Sequence, residues 1–284
     1  MITDSQTNKL HLADCLPKKQ PAFFQRFKLV LDKCNIDYNF LPNTKDIWAR
    51  DYMPIQVDND SFVKFVYKPD YLQTKSGQKT ISDVGSICKA INIPRQESHI
   101  VLDGGNVVKA SDKVIMCDKV FYENPTIDRR ALTKKLEELL QVDKVYFVPQ
   151  QLNDFTGHAD GMVRFLDDQN VLINKHSDKE KDFERALKVS LDNAGLDYYE
   201  IPYNPYKNKP YSSAKGIYIN YLQMEGVVIV PVFGLDEDDR AVKQFETLFK
   251  GYRIETIDSN EIANEGGILN CISWNIKANN VTSN

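Results

Sequence analysis

Apolar positions recur at helical spacing in five separate stretches of the chain. After Pro21, the residues Phe24, Phe27, Leu31 and Cys34 share one face, and Asn35 predicts the stop. Ile81, Val84, Cys88 and Ile91 make a second stripe on a helix beginning near Thr80. A third opens at Pro125-Thr126 and aligns Leu132, Leu136, Leu139 and Leu140. Phe183, Leu187, Leu191 and Ala194 form the fourth, ending at Gly195, and Val242, Phe245, Leu248 and Phe249 the fifth, ending at Gly251. Steps of three and four residues place these side chains on one side of a helix with a period near 3.6, and glycine just past the last turn is a common terminator.

A short β-branched or aromatic run follows each stripe: 36–40, 99–102, 145–148, 198–201 and 252–257. Such residues fit a pleated, half-buried surface, so each run predicts a strand. Further strands are expected at 53–57, 62–67, 171–174 and 227–230. The chain therefore reads as a repeat of roughly fifty-five residues, each unit carrying one helix and several strands.

Residues with chemical potential fall in phase with that repeat. Asp51 and Asp103 are 52 positions apart, Asp103 and His158 are 55, and His158 and Cys271 are 113, or about two units. The unit between predicts an equivalent near Ser212 to Lys215. Each of these sites follows the strand that follows a helix. An open doubly wound sheet brings only neighbouring strand ends together at its switch point. Motifs from four units can meet only in a closed ring, so the expected architecture is α/β with five-fold closure.

Cys271 follows Gly266-Gly267, and a thiol of ordinary pKa ~8.5 needs a cationic neighbour to become a nucleophile. His158 as imidazolium, or a cationic substrate, would supply one. His158 and Asp160, two apart, would face the same way on a strand. Asp103, ahead of Gly104-Gly105, reads by itself as part of an Asp-Gly-Gly turn before it reads as the group that orients His158, the third member of a triad. Trp48 and Asp51 would offer a cation a ring face and a carboxylate. Arg50 reads as a structural ion-pair partner. Cys15, Cys34, Cys88 and Cys117 read as small buried hydrophobes, and His11, His99 and His176 as outside the chemistry. The loop Pro202-Tyr203-Asn204-Pro205-Tyr206, with Tyr211, reads as a solvated linker before a substrate-tail contact.

Composition narrows the class. At 284 residues the chain is long for one domain yet within reach of one closed α/β unit. A net charge of −4 without a basic block argues against nucleic acid. No apolar run approaches the ~20 residues of a membrane span. The segment Met1-Ile2-Thr3-Asp4-Ser5 lacks the basic and apolar regions of a signal peptide. Five cysteines at irregular spacing, without a CxxC pair, fit a reducing cytoplasm better than a disulfide framework.

Four motifs carry a resemblance. Trp48-Ala49-Arg50-Asp51, Leu102-Asp103-Gly104-Gly105-Asn106, Gly157-His158-Ala159-Asp160 and Glu265 to Ser273 are similar to the motif series of the agmatine deiminase and bacterial peptidylarginine deiminase family. Tyr218-Ile219-Asn220-Tyr221 and the run Gly226 to Phe233 resemble its C-terminal part, so the likeness runs from about Trp48 to Trp274. It implies the pentein fold, a five-bladed α/β propeller of ββαβ-type repeats, with residues 1–284 as a single domain. It also implies hydrolysis of a guanidine to a ureido compound and ammonia, without metal or organic cofactor. In that reading Cys271 is the nucleophile and His158 the general acid and base. Asp51 and Asp160 grip the guanidinium, Asp103 orients His158, and Trp48 and Asn106 join the substrate-binding set. The partner is a small cationic guanidine, agmatine first. Arginine, methylated arginines and peptidylarginine are alternatives, and a homodimer is compatible. Asp103 stands where agmatine deiminases usually carry Glu, Asn270 where His is frequent, and Glu265 where Gly is. The same residues would also suit an amidinotransferase, a non-catalytic pentein or a metal site.

Overall fold

A computed structural model describes residues 1–151, 154–209 and 212–278. Among these, the strands form five three-stranded sheets. Four are continuous in sequence. In each, a hairpin pairs the first two strands antiparallel, a helix crosses over, and the third strand returns parallel to the second. The second blade, for example, contains Ile55–Asp58, Ser61–Val66 and Gln96–Val101. The third contains Val108–Lys109, Lys113–Cys117 and Lys144–Val148. The fourth contains Val163–Phe165, Asn170–Asn174 and Asp197–Ile201, and the fifth Leu222–Met224, Val227–Val232 and Arg253–Asp258.

The first blade closes the ring. Its middle strand Lys9–Ala13 runs parallel to Tyr38–Leu41, and its other neighbour is the last strand, Ser273–Ile276. The five-bladed α/β propeller expected from the repeat is thus completed by strands from opposite ends of the chain.

Each helix lies at a seam. Lys181–Asn193 packs on Lys144–Val148 of the preceding blade, and Pro21–Lys33 packs on Arg253–Asp258 of the fifth. Phe23, Phe27 and Leu31 therefore share a core with Val228, Val230 and Phe245. Burying one such side chain contributes about 1.5–3 kcal/mol, so the seams resist splaying of the ring. Phe24, expected on the buried stripe, flanks it against Tyr38 and Phe40 instead.

Two helices start later than the apolar spacing suggests. The second covers Val84–Ala90, because Asp83 accepts from the Ser86 backbone N–H and caps it. The third covers Arg129–Leu140, because Asp128 accepts from the Arg130 and Ala131 N–H groups. A side-chain oxygen that satisfies these orphan donors fixes the first turn wherever it stands. The expected stop holds at Gly195, whose φ of 68° favours glycine, whereas the fifth helix already ends at Leu248, ahead of Gly251.

Candidate active site

After the third strand of a blade, the chain turns inward before opening the next. Four such turns carry the singled-out residues: Ala49–Tyr52, Gly104–Asn106, Ala159–Gly161 and Leu269–Ile272. They converge on the ring axis because the five blades are closed. One cavity of about 560 Å³ is lined there by Trp48, Asp51, His158, Asp160 and Cys271, among others.

His158 is at the centre of the charge arrangement and is 3% exposed. Its Nε2 lies 3.0 Å from Asp103 Oδ2, and its Nδ1 lies 3.5 Å from Asp51 Oδ1. Asp103 does not line the cavity; it stands behind the imidazole. Burial works against a charged ring, yet Asp51, Asp103 and Asp160 together lift the His158 pKa to about 10. Asp51 is itself pushed up to about 7, by burial first and then by Asp160 and Asp103. Burial also raises Asp160, against the pull of His158. The imidazole is thus surrounded by three acidic side chains that favour its charged form.

The glycines in these motifs have a steric purpose. A Cβ on Gly105 would stand 2.6 Å from Asp51 Oδ1 and 2.6 Å from His158 Nδ1. One on Gly267 would stand 2.5 Å from the Trp48 ring and 3.0 Å from Cys271 Cβ. Only a residue without a side chain lets the backbone pass so close.

Cys271 is buried, and burial, then Asp160 and Asp51, push its thiol well above the ordinary range. Asn220 Oδ1 lies 3.4 Å from the sulfur and accepts from the backbone N–H groups of Asn270 at 3.1 Å and Cys271 at 3.4 Å. Asn270 Nδ2 in turn donates to Asp160 Oδ2 at 2.6 Å.

Asn220 is the residue that sequence spacing missed. The fourth inward turn was expected near Ser212 to Lys215, and Ser212 and Ser213 do reach the cavity wall. The long loop ahead of it, however, puts Asn220 next to the sulfur. Its place just before the strand Leu222–Met224, like that of Cys271 just before Ser273–Ile276, is the signal that would have found it.

Three other expectations are corrected. Asn106 does not line the cavity: its side chain accepts from Cys117 N at 2.7 Å and donates to Cys117 O at 3.3 Å, which anchors the Gly104–Asn106 turn. His158 and Asp160 are not on a strand, for Ala159–Gly161 is a 3₁₀ turn, and the turn rather than the pleat presents both to the cavity. Tyr203, Pro205 and Tyr206 also line the cavity, so this loop is not a solvated linker; Tyr211 lies outside the described residues.

Below the acidic layer is a buried basic one. Arg50, Lys109 and Arg164 lie 3.6, 3.2 and 2.9 Å from Asp4, and despite burial they hold that carboxyl below the usual range, Lys109 most strongly. Arg50 also donates through Nε to Asn270 O, and Arg164 to Tyr221 O. These arginines therefore brace the backbone beside Cys271 and Asn220. Among the described residues, no group of three or more His, Cys, Asp or Glu is arranged to hold a metal ion, and no helix is long and apolar enough to cross a membrane.

Known proteins share this fold. In fold, the chain is similar to the agmatine deiminase of C. jejuni, with a TM-score of 0.80 at 18% identity, covering 98% of this chain and 96% of that one. It is also similar to DDAH from Pseudomonas aeruginosa, with a TM-score of 0.61 at 11% identity, covering 95% and 100%. The fold is the pentein fold. In sequence, a relative from Mycoplasma mycoides subsp. mycoides is 24% identical over 66% of this chain and 60% of its own length. The agmatine deiminase of Pseudomonas syringae pv. syringae is also 24% identical, over 81% of this chain and 74% of its own. The chain thus spans about three fifths of the length of some curated relatives. Residues 15–276 match the model of the Porphyromonas-type peptidyl-arginine deiminases, and the chain belongs to that family.

Proposed function

We propose that this protein, residues 1–284 acting as one domain in the cytoplasm, hydrolyses the guanidino group of agmatine to give N-carbamoylputrescine and ammonia. The observation carrying this reading is that the buried side chains of Cys271, His158, Asp51 and Asp160 line one cavity. Family membership supports it, as do the relatives named as agmatine deiminases.

The chemistry follows from the charges. A guanidinium carbon is a poor electrophile because its charge is delocalised, so positioning must supply much of the rate. Asp51 and Asp160 hold the planar cation over the sulfur. Both carboxylates disfavour a thiolate in the empty site. A bound guanidinium offsets them, and the thiol then releases its proton to solvent. The sulfur attacks the guanidine carbon and forms a C–S bond and a neutral tetrahedral adduct. The His158 imidazolium protonates one nitrogen, the C–N bond breaks, and ammonia leaves. The remaining amidino-thioether is cationic and His158 is now neutral. His158 takes a proton from water as the hydroxyl adds to the carbon. The C–S bond then breaks, the ureido product departs, and its proton returns to the sulfur. Ammonia takes up the proton first released to solvent. The uncharged product no longer pairs with Asp51 and Asp160, which favours its release.

Colorimetry of ureido product over agmatine, arginine, methylated arginines and an arginyl peptide tests this reading. Turnover of agmatine is expected, abolished in Cys271→Ala and nearly so in Asp160→Asn. Combined Cys271 and His158 changes should not add, because both serve one step. Undiminished turnover in Cys271→Ala would end the covalent mechanism.

A further inference from the structure

The cavity holds more negative charge than a guanidinium requires. Asp46, Asp51, Asp154, Asp160, Glu180 and Glu265 line it, against Lys179 and His158. Asp51 and Asp160 belong to the reacting end. Of the other four, Glu180 is the one built rigidly into the wall. It ends the 3₁₀ turn Asp178–Glu180 ahead of the helix Lys181–Asn193, and its side chain is 9% exposed. Gln151 Nε2 donates to its Oε1 at 2.6 Å, Tyr206 OH donates to Oε2 at 2.7 Å, and His176 Nδ1 lies 3.2 Å from Oε2. The scaffold is itself tied down: Gln151 also donates to Tyr203 OH, and Tyr206 OH accepts from Ser177 N. Although burial opposes it, these hydrogen bonds, His176 foremost, hold the Glu180 carboxyl below its ordinary range.

No lysine or arginine pairs with this carboxylate among the described residues. Among the described residues, the His176 imidazole is its one basic neighbour within 4.0 Å. Residues 152, 153, 210, 211 and 279–284 include no lysine, arginine or histidine. The other lining carboxylates differ: Asp154 accepts from Thr156 N and Oγ1, Asp46 from Ile47 N, and Glu265 is exposed. A carboxylate fixed by hydrogen-bond donors on a sheltered wall is weakly screened, so it attracts a cation more strongly than a surface carboxylate does. Tyr203 and Tyr206, edge to face at 5.6 Å, stand beside it and suit an alkyl stem with a cationic end.

We propose that Glu180 determines specificity by receiving the terminal ammonium of the substrate while its guanidinium lies at Cys271. This assignment rests on guanidine hydrolysis at Cys271. It makes the substrate class an amino-alkylguanidine and sets the site against tails ending in a carboxylate, which Glu180 repels.

Steady-state kinetics of wild type, Glu180→Gln and Tyr206→Phe test it, using agmatine, butylguanidine and 4-guanidinobutanoate. In Glu180→Gln the KM for agmatine should rise about tenfold or more, the loss of a charge-assisted contact. Its kcat for agmatine and its turnover of butylguanidine should hold within about twofold of wild type. Tyr206→Phe should show a smaller rise, again for agmatine only. Equal losses on agmatine and butylguanidine would mean a structural role and overturn the proposal, as would an unchanged KM for agmatine. Calorimetric binding of agmatine to the wild-type and Glu180→Gln proteins separates the two readings. If no guanidine is hydrolysed yet agmatine binding depends on Glu180, the tail assignment stands and the hydrolysis reading falls. If agmatine binding ignores Glu180, the tail assignment falls whatever the turnover.

Discussion

Asn220 Oδ1 stands 3.4 Å from Cys271 Sγ and accepts the Cys271 backbone N–H, so one amide oxygen positions both the reactive atom and the turn that presents it. Because Asn270 N donates to the same oxygen, Asn220 acts as a cap supplied from the neighbouring blade. Asn220→Ala should lower stability by about 1 kcal/mol, a typical cap loss, and lower kcat/KM more than stability. Asn220→Asp keeps the acceptor but sets a carboxylate beside the sulfur, which disfavours the thiolate. Alkylation of Cys271 by iodoacetamide at mildly alkaline pH should then be slower than in wild type. Faster alkylation would contradict this placement.

Gly105 tests the packing of the acidic layer. A methyl group there would press on Asp51 Oδ1 and His158 Nδ1 together. Gly105→Ala should reduce kcat/KM about a hundredfold, the usual result of a misplacement near 1 Å, while leaving a folded protein by circular dichroism. Near-normal activity would mean that the two side chains do not need this registration.

Asp103 acts through His158, since it holds Nε2 from behind and does not line the cavity. Asp103→Asn should therefore lower kcat by about a hundredfold or more with little change in KM. Part of the lift on the His158 pKa comes from this carboxylate, so the alkaline limb of the kcat profile should also move to lower pH. A change in KM alone would assign Asp103 to binding instead.

Stability should fall as pH rises. Folded His158 keeps its proton to about pH 10, against an ordinary value of 6.5, so the folded state binds more protons through that window. The stability this gives is fully present below about 6.5 and lost as pH climbs through the folded value. Asp51 contributes in the same direction at lower pH, its carboxyl being raised from 3.8 to about 7. Thermal melts between about pH 7 and 10 should show a fall of several degrees that is shallower in His158→Asn. Equal slopes in both proteins would refute the assignment.

The sequence by itself determined the elements and their order. Helices such as Pro21–Lys33 and Asp238–Leu248 were legible because burial at a seam demands an apolar stripe, which is a local pattern. The chemistry of Cys271, His158, Asp103 and Asp51 was legible because each lies in a compact motif, three of them beside glycines, in step with the repeat. Strands as short as Val108–Lys109 and Leu222–Met224 left no pattern to read, and the caps at Asp83 and Asp128 outweighed the apolar spacing that placed two helix starts too early. Tertiary structure alone decided the rest. Ser273–Ile276 pairing on Lys9–Ala13 closes the ring, and only closure sets the distance between turns fifty or more residues apart. That is why Asn220 came to the sulfur, why Asn106 turned away to Cys117, and why Glu180 with Tyr203 and Tyr206 became a cavity wall. Periodicity reports which face of an element is buried, but not which distant side chain it will meet there.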